Sequence, residues 1–147
     1  MRALLQRVSE ARVTVGGLVT GQIGAGLLVF LGIGTNDTKA HADRMAQKVV
    51  QLRIFPDAQG KTNLSLADVS GDLLIVSQFT LYADVRRGNR PSYSEAAKPE
   101  VAQELYEYFV GLCRDKGFRV ATGTFQAEMQ VHLVNNGPVT IMYDSES

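Results

Sequence analysis

The chain has one cysteine, no tryptophan, two histidines and four prolines in 147 residues. A single cysteine, Cys113, excludes an intramolecular disulfide and any multi-cysteine zinc site. His41 and His132 are too few to suggest a protein metal site, and no metal or other cofactor is expected. Net charge is missing too, because 15 basic residues balance 15 acidic ones. Nothing global favours nucleic acid: an RNA contact would need a local basic patch, and no DNA partner is expected. No apolar run approaches the roughly 20 residues that span a bilayer. The N-terminal stretch MRALLQRVSEARV carries charges every few residues and has no signal-peptide core. These absences predict a cytoplasmic protein without a membrane segment.

Catalytic signatures are equally scarce. The chain contains no G-x-S-x-G elbow, no H-E-x-x-H and no Walker loop, and Gly32-Ile33-Gly34 is too short for a dinucleotide fingerprint. A nucleophile–base–acid triad needs a histidine. His41 reads as solvated on the polar side of a helix, His132 as a structural residue of an alternating strand, and Cys113 as part of a helix core.

What is present is apolar and patterned. A hydrophobic content of 45% suits one compact domain over residues 1–147. Arg2 to Val8 and Ala11 to Val15 read as strands, Gly16-Gly17 as a hairpin turn, and Leu18 to Ile23 as the return strand. Leu27 to Leu31 is too apolar to be half exposed and predicts a central strand. Asp37 or Thr38 can cap a helix over residues 39–52 whose buried face is Ala42, Met45, Ala46, Val49 and Val50. Asp72 to Phe79 reads as a second buried strand that runs into polar residues. Pro99 opens a second helix, with Val101, Leu105, Tyr108, Phe109 and Leu112 as its apolar stripe and Gly117 as its stop. Phe118 to Thr122, Ala127 to Val134 and Val139 to Tyr143 complete the strands. The predicted class is α+β: a mostly antiparallel, curved or barrel-like sheet with two main helices, rather than alternating βαβ units.

Two stretches stand out chemically. Ser77-Gln78-Phe79-Thr80 sits at the end of a buried strand, where hydroxyls, an amide and free backbone N–H groups can stabilise an oxyanion. On their own, the plain end of a strand is the favoured reading of Ser77 and Thr80. Asn135-Asn136-Gly137-Pro138-Val139-Thr140 places a Gly-Pro step between two apolar strands, and on its own reads as a hairpin turn.

Taken together, Ser77-Gln78-Phe79-Thr80-Leu81 and Asn135 to Thr140 resemble the two signature motifs of the D-aminoacyl-tRNA deacylases, the D-tyrosyl-tRNA deacylase family. Arg7-Val8-Ser9-x-Ala11-x-Val13 and Gly88-Asn89-Arg90-Pro91-Ser92 resemble the same family, and the likeness spans essentially the whole chain. The resemblance implies a homodimeric proofreading hydrolase that cleaves the ester between a D-amino acid and the terminal adenosine of tRNA. It also implies a cis Gly-Pro bond on a loop inserted into the partner subunit's site. Carried over, Gly137 and Pro138 are the chiral selector, and Ser77, Gln78, Phe79 and Thr80 line the pocket for the ester. Phe125 and Met129 would hold the adenosine, and Arg7 would brace the loop. Arg86, Arg87 and Arg90, near Tyr93, could meet tRNA phosphates, although a solvated loop explains any one of them as well.

An activated ester needs only modest help, which the neighbouring ribose hydroxyl and backbone N–H groups can give. Thr80 as a direct nucleophile is the alternative; without a base its hydroxyl is weak. Two other readings compete. One is a non-enzymatic module for a 3′ adenosine, which lacks an RNP-like aromatic strand. The other is a dimerisation protein with Gly-Pro as an interface turn.

Overall fold

In the computed structural model, residues 1–146 are described. The organising element is one long strand, β1 (Arg2–Val15), continuous where the sequence suggested two. One of its edges is shared. Arg2 to Val8 pairs antiparallel with β3 (Gly26–Gly32), and Ala11 to Val15 pairs with β2 (Leu18–Ile23). The β1–β2 turn is Gly16-Gly17, with φ of 56° and 83°, the positive values a tight hairpin turn asks of its central residues.

Beyond β3 the sheet continues in parallel. Strand β6 (Asp72–Ser77) lies beside β3, and β7 (Val120–Thr122) beside β6. Helix α1 (Lys39–Gln51) is carried on the first of these crossovers and helix α2 (Pro99–Asp115) on the second. The hairpin reading therefore holds for β1 to β2 only: β2 and β3 both run antiparallel to β1 and follow one another along it, so the chain does not reverse at Gly24-Ala25, and helical crossovers come after β3. A short antiparallel pair, β4 (Phe55–Pro56) with β5 (Thr62–Leu64), lies between α1 and β6. The class is the expected one: two main helices on a mixed, mostly antiparallel sheet that curls almost into a barrel.

Two apolar clusters follow from the period-2 alternation of the strands. Leu5, Leu27, Val29, Leu73 and Ile75 face the helices, whereas Val8, Val13, Leu28, Leu74 and Val76 fill the inside of the curl. Gly21 permits that curl, because a Cβ there would lie 2.3 Å from the Thr122 carbonyl oxygen.

Helix α1 buries Ala42, Met45, Ala46, Val49 and Val50, the face its spacing predicts, and Thr38 is its N-cap. Helix α2 is turned from its predicted stripe. Leu105 and Phe109 are buried as expected, but with Ala102, Tyr106, Val110 and Cys113, while Val101 is 45% exposed. Tyr106 can turn inward because its hydroxyl donates to the Ile75 carbonyl at 2.7 Å, so no polar atom is stranded. Burial pushes the Tyr106 phenol well above its ordinary range. His41 is also not simply solvated. Its Nδ1 accepts from the Thr38 amide at 3.0 Å, and its Nε2 meets the Glu146 carboxylate.

The last strand, β8 (Gln130–Asp144), corrects the reading of two strands joined by a turn. It runs antiparallel along the other edge of β1 from end to end, straight through the Gly-Pro step. Thr140 pairs with Gln6 and Asn135 with Val8. Residues 136–139 therefore have a single residue opposite them, Arg7. Such an excess on one strand is a bulge, which lifts its residues out of the ladder.

Candidate active site

Strand β6 ends at Ser77, and the chain tightens at once into a 3-10 turn over Phe79–Tyr82, one residue earlier than a strand to Phe79 would allow. The Gln78 amide still donates to the Leu31 carbonyl at 2.8 Å, which fixes the start of the turn against β3. The first amide bonded within the turn is that of Leu81, to the Gln78 carbonyl at 3.2 Å. The N–H groups of Phe79 and Thr80 come before it, and a helical turn gives its first amides no internal acceptor. The Gln78 side-chain amide meets the Thr80 hydroxyl.

A cavity of about 730 Å³ opens beside this turn. Ser77, Gln78 and Phe79 form one wall, and Phe125 and Met129 are on its lining too. Phe79 is 54% exposed and meets the Tyr93 ring edge-on, with centroids 5.0 Å apart. The Thr124 amide points at the Met129 sulfur from 3.4 Å, and Gly123 leaves room for that sulfur, which would stand 2.7 Å from a Cβ there. Among the described residues, Lys98 is the only charged one on the lining, where neither histidine nor a carboxylate is found. The cavity is apolar with a few polar groups at one side, the usual make-up of a small-molecule or nucleoside pocket.

The structure thus brings together Ser77, Gln78, Phe79, Phe125 and Met129, while Thr80 stands just off the lining. It keeps Arg7, Gly137 and Pro138 apart from that cavity within one chain. These three form a second group on the β8 bulge. The Gly137–Pro138 peptide bond is cis, and Gly137 has φ of 137°. Arg7 donates from Nε to the Asn136 carbonyl at 2.9 Å and from Nη1 to the Ile54 carbonyl at 2.8 Å. Asn135 closes the base of the bulge. Its Oδ1 accepts from the Val139 amide at 3.0 Å, and its Nδ2 donates to the Thr140 hydroxyl at 2.8 Å. Gln6 donates to the same hydroxyl from 3.1 Å. Asn135, Thr140 and Gln6 were not singled out individually from the sequence. The signal available was their place in, or paired with, the Asn135–Thr140 motif.

The basic loop divides. Arg86 is bound to Asp84, Nη2 to Oδ2 at 2.8 Å and Nε to Oδ1 at 2.9 Å, and those hydrogen bonds hold the Asp84 carboxyl down to about 2. Arg87 and Arg90 are exposed and form no ion pair among the described residues. Elsewhere, Asp37, His41 and Glu146 place ligand atoms within 4.8 Å of one another, and none of them lines the cavity. Asp37 already binds the Met1 ammonium at 2.7 Å and the Gly34 amide at 2.6 Å.

An apolar cavity walled by a strand-end turn, on a curled sheet with a braced backbone bulge, defines a candidate hydrolase of the kind its motifs resemble. Residues 4–144 match the family pattern described as D-Tyr-tRNA(Tyr) deacylase. The chain belongs to that family, and is an enzyme of the hydrolase class. Relatives named D-aminoacyl-tRNA deacylase include that of Koribacter versatilis, 58% identical over 146 residues, with 99% of this chain and 98% of the relative covered. That of Alkaliphilus metalliredigens is 55% identical over 146 residues at the same coverage. Among solved structures, one titled c-Myc DNA Unwinding Element Binding Protein superposes with a TM-score of 0.93 at 41% identity, covering 98% of each chain. A probable eukaryotic D-amino acid tRNA deacylase has a TM-score of 0.86 at 19% identity, covering 97% of each chain, which is a likeness of fold. Among the described residues, no helix is long and apolar enough to cross a membrane.

Proposed function

We propose that the chain hydrolyses the ester of D-aminoacyl-tRNA, and of mischarged glycyl-tRNA, and spares L-aminoacyl-tRNA. The observation that carries this reading is the bulge: four residues of β8 raised opposite Arg7, presenting the rigid Gly137–Pro138 backbone clear of the sheet. Backbone set against a substrate Cα excludes one hand by sterics and ignores side-chain chemistry. An L side chain would run into the selector, a D side chain would leave towards solvent, and glycine would meet no obstacle.

The reaction asks little of side chains. Among the described residues, the lining holds no histidine or carboxylate to serve as a general base. The ester is activated, the vicinal ribose hydroxyl of the RNA assists attack, and the amides of Phe79 and Thr80, which find no acceptor within the turn, are suited to the developing oxyanion. Ser77 and Gln78 position the ester, and Phe125 and Met129 flank the adenosine. Because the bulge and the cavity lie apart in one chain, the complete site is that of a homodimer in which each Gly137–Pro138 step enters the partner's cavity. Val134 and Met142, about half exposed on the same β8 strand, suit such a contact. Arg87 and Arg90 are left to meet tRNA phosphates in the cytoplasm, with Arg86 already occupied by Asp84.

The test is to incubate the protein with D-tyrosyl-tRNA and L-tyrosyl-tRNA and follow free tyrosine. Release from the D substrate alone supports the reading; release from neither, or equally from both, refutes it.

A further inference from the structure

A second cavity, of about 500 Å³, shares no residue with the first. Arg44, Gln47, Lys48 and Gln51, from successive turns of the exposed side of α1, form one wall, and Arg53 and Tyr143 are also on its lining. Among the described residues, no carboxylate lines it. Arg44 and Lys48 form no ion pair among the described residues. Lys48 instead stands 5.4 Å from the centroid of the Tyr143 ring, which holds the ammonium in place without neutralising it. Arg53 donates to the neutral Asn63 carbonyl at 2.9 Å. It is also the smallest of the four influences on the Asp68 carboxyl. In a chain with no net charge, three cations gathered in one cleft without an acid are a local excess.

The cleft is also fixed relative to the bulge. The Arg7 guanidinium that holds Asn136 holds Ile54 with its other arm, and Ile54 follows Arg53 directly. The cleft and the Gly137–Pro138 step are therefore attached to the same side chain.

We propose that the Arg44–Lys48–Arg53 cleft binds phosphates of the tRNA acceptor stem. This inference rests on the function proposed above. Because Arg7 ties Ile54, next to Arg53, to the bulge, a subunit whose bulge enters the partner's cavity would carry the cleft towards that cavity, and the duplex next to the bound 3′ end would meet it. Cations there gain affinity by displacing counterions from the RNA and carry no sequence information. The amides of Gln47 and Gln51 can hydrogen-bond phosphate or 2′-hydroxyl oxygens. One subunit would thus hold the stem of the substrate whose ester is cut in the other.

The test uses the full-length R44Q/K48Q protein and two substrates: D-tyrosyl-tRNA, and a D-tyrosyl ester of the trinucleotide CCA, which has the reacting end and no stem. Both substitutions lie on an exposed helix face and keep good helix formers. For the tRNA, KM should rise about tenfold with kcat unchanged, and the slope of log(kcat/KM) against log salt should flatten by about 1.8, or two phosphates at about 0.9 each. The CCA ester should be cut as by wild type. Unchanged tRNA kinetics, or an equal loss on both substrates, would overturn the proposal. Should wild type cut neither substrate, the proposed function fails instead, and binding of uncharged tRNA decides the cleft: weaker, less salt-dependent binding by the variant supports it, equal binding refutes it.

Discussion

Arg7 holds the Asn136 carbonyl from Nε at 2.9 Å, and it is the one β1 residue opposite the bulge that carries Asn136. The same planar guanidinium reaches the Ile54 carbonyl through Nη1, so the bulge is pinned to the segment behind it by a rigid fork. A lysine ammonium keeps the charge but cannot reproduce that fork. Arg7→Lys should therefore loosen selection more than chemistry. With a hydrogen bond to a charged group worth about 1.5–3 kcal/mol, the D-over-L ratio of kcat/KM should fall by about tenfold or more. Hydrolysis of the D substrate should stay within about threefold of wild type if the fork positions only the selector. Parallel single-turnover assays on D- and L-tyrosyl-tRNA measure both quantities.

Thr80 has a hydroxyl already in contact with the Gln78 amide and no histidine on the cavity lining to activate it. Thr80→Ala should keep most activity, within about fivefold, because positioning is lost but not the nucleophile. Complete loss with normal tRNA binding would restore Thr80 as the attacking group.

Glycine offers a stringent check on exclusion by backbone sterics. Glycyl-tRNA should be cleared at enzyme concentrations similar to those that clear D-tyrosyl-tRNA, as measured by acid-gel or radiolabel release. Its survival would mean that the site makes a positive contact with a D side chain, and steric exclusion alone would fail.

Cys113 is fully buried between α2 and the sheet, and burial pushes its thiol up to about 12 from an ordinary value of 9.0. The folded state thus holds the proton where the unfolded state releases it. The stability this contributes is complete below about pH 9 and is lost as pH rises towards 12. Denaturant midpoints should decline over that interval, and less so for Cys113→Ala once its own packing loss is subtracted. At pH 8, alkylation by iodoacetamide should require unfolding.

How far the sequence can be read depends on the range of the interaction. Helix α1 was legible because its apolar spacing is local, and all five predicted positions are buried. Helix α2 was less so. Its rotation is set by a tertiary bond, the Tyr106 hydroxyl on the Ile75 carbonyl, which makes a tyrosine a core residue. The site motifs were found because they are contiguous stretches, but what they build is not local. Whether Gly137–Pro138 turns the chain or bulges from a continuous strand is decided by pairing with β1, more than a hundred residues away. The basic α1 cleft was not foreseen, since Arg44 and Lys48 look like any polar helix face until Arg53 and Tyr143 are folded beside them. Arg86 looked free until Asp84 was placed against it.

The central claim is that the selector of one subunit acts in the cavity of the other, and mixed dimers test it most directly. Ala127→Trp fills the cavity of its own chain while leaving the bulge intact. Gly137→Ala leaves the cavity open but displaces the bulge, because its Cβ would lie 2.9 Å from the Arg7 guanidinium at a φ of 137°. The account predicts that Ala127→Trp alone is inactive and that Gly137→Ala alone cuts D and L substrates with little preference. Refolding a trace of Gly137→Ala with excess Ala127→Trp should restore D-only hydrolysis, since each open cavity then faces an intact selector. Continued hydrolysis of the L substrate in the mixed dimers would place the selector in its own subunit and contradict the account.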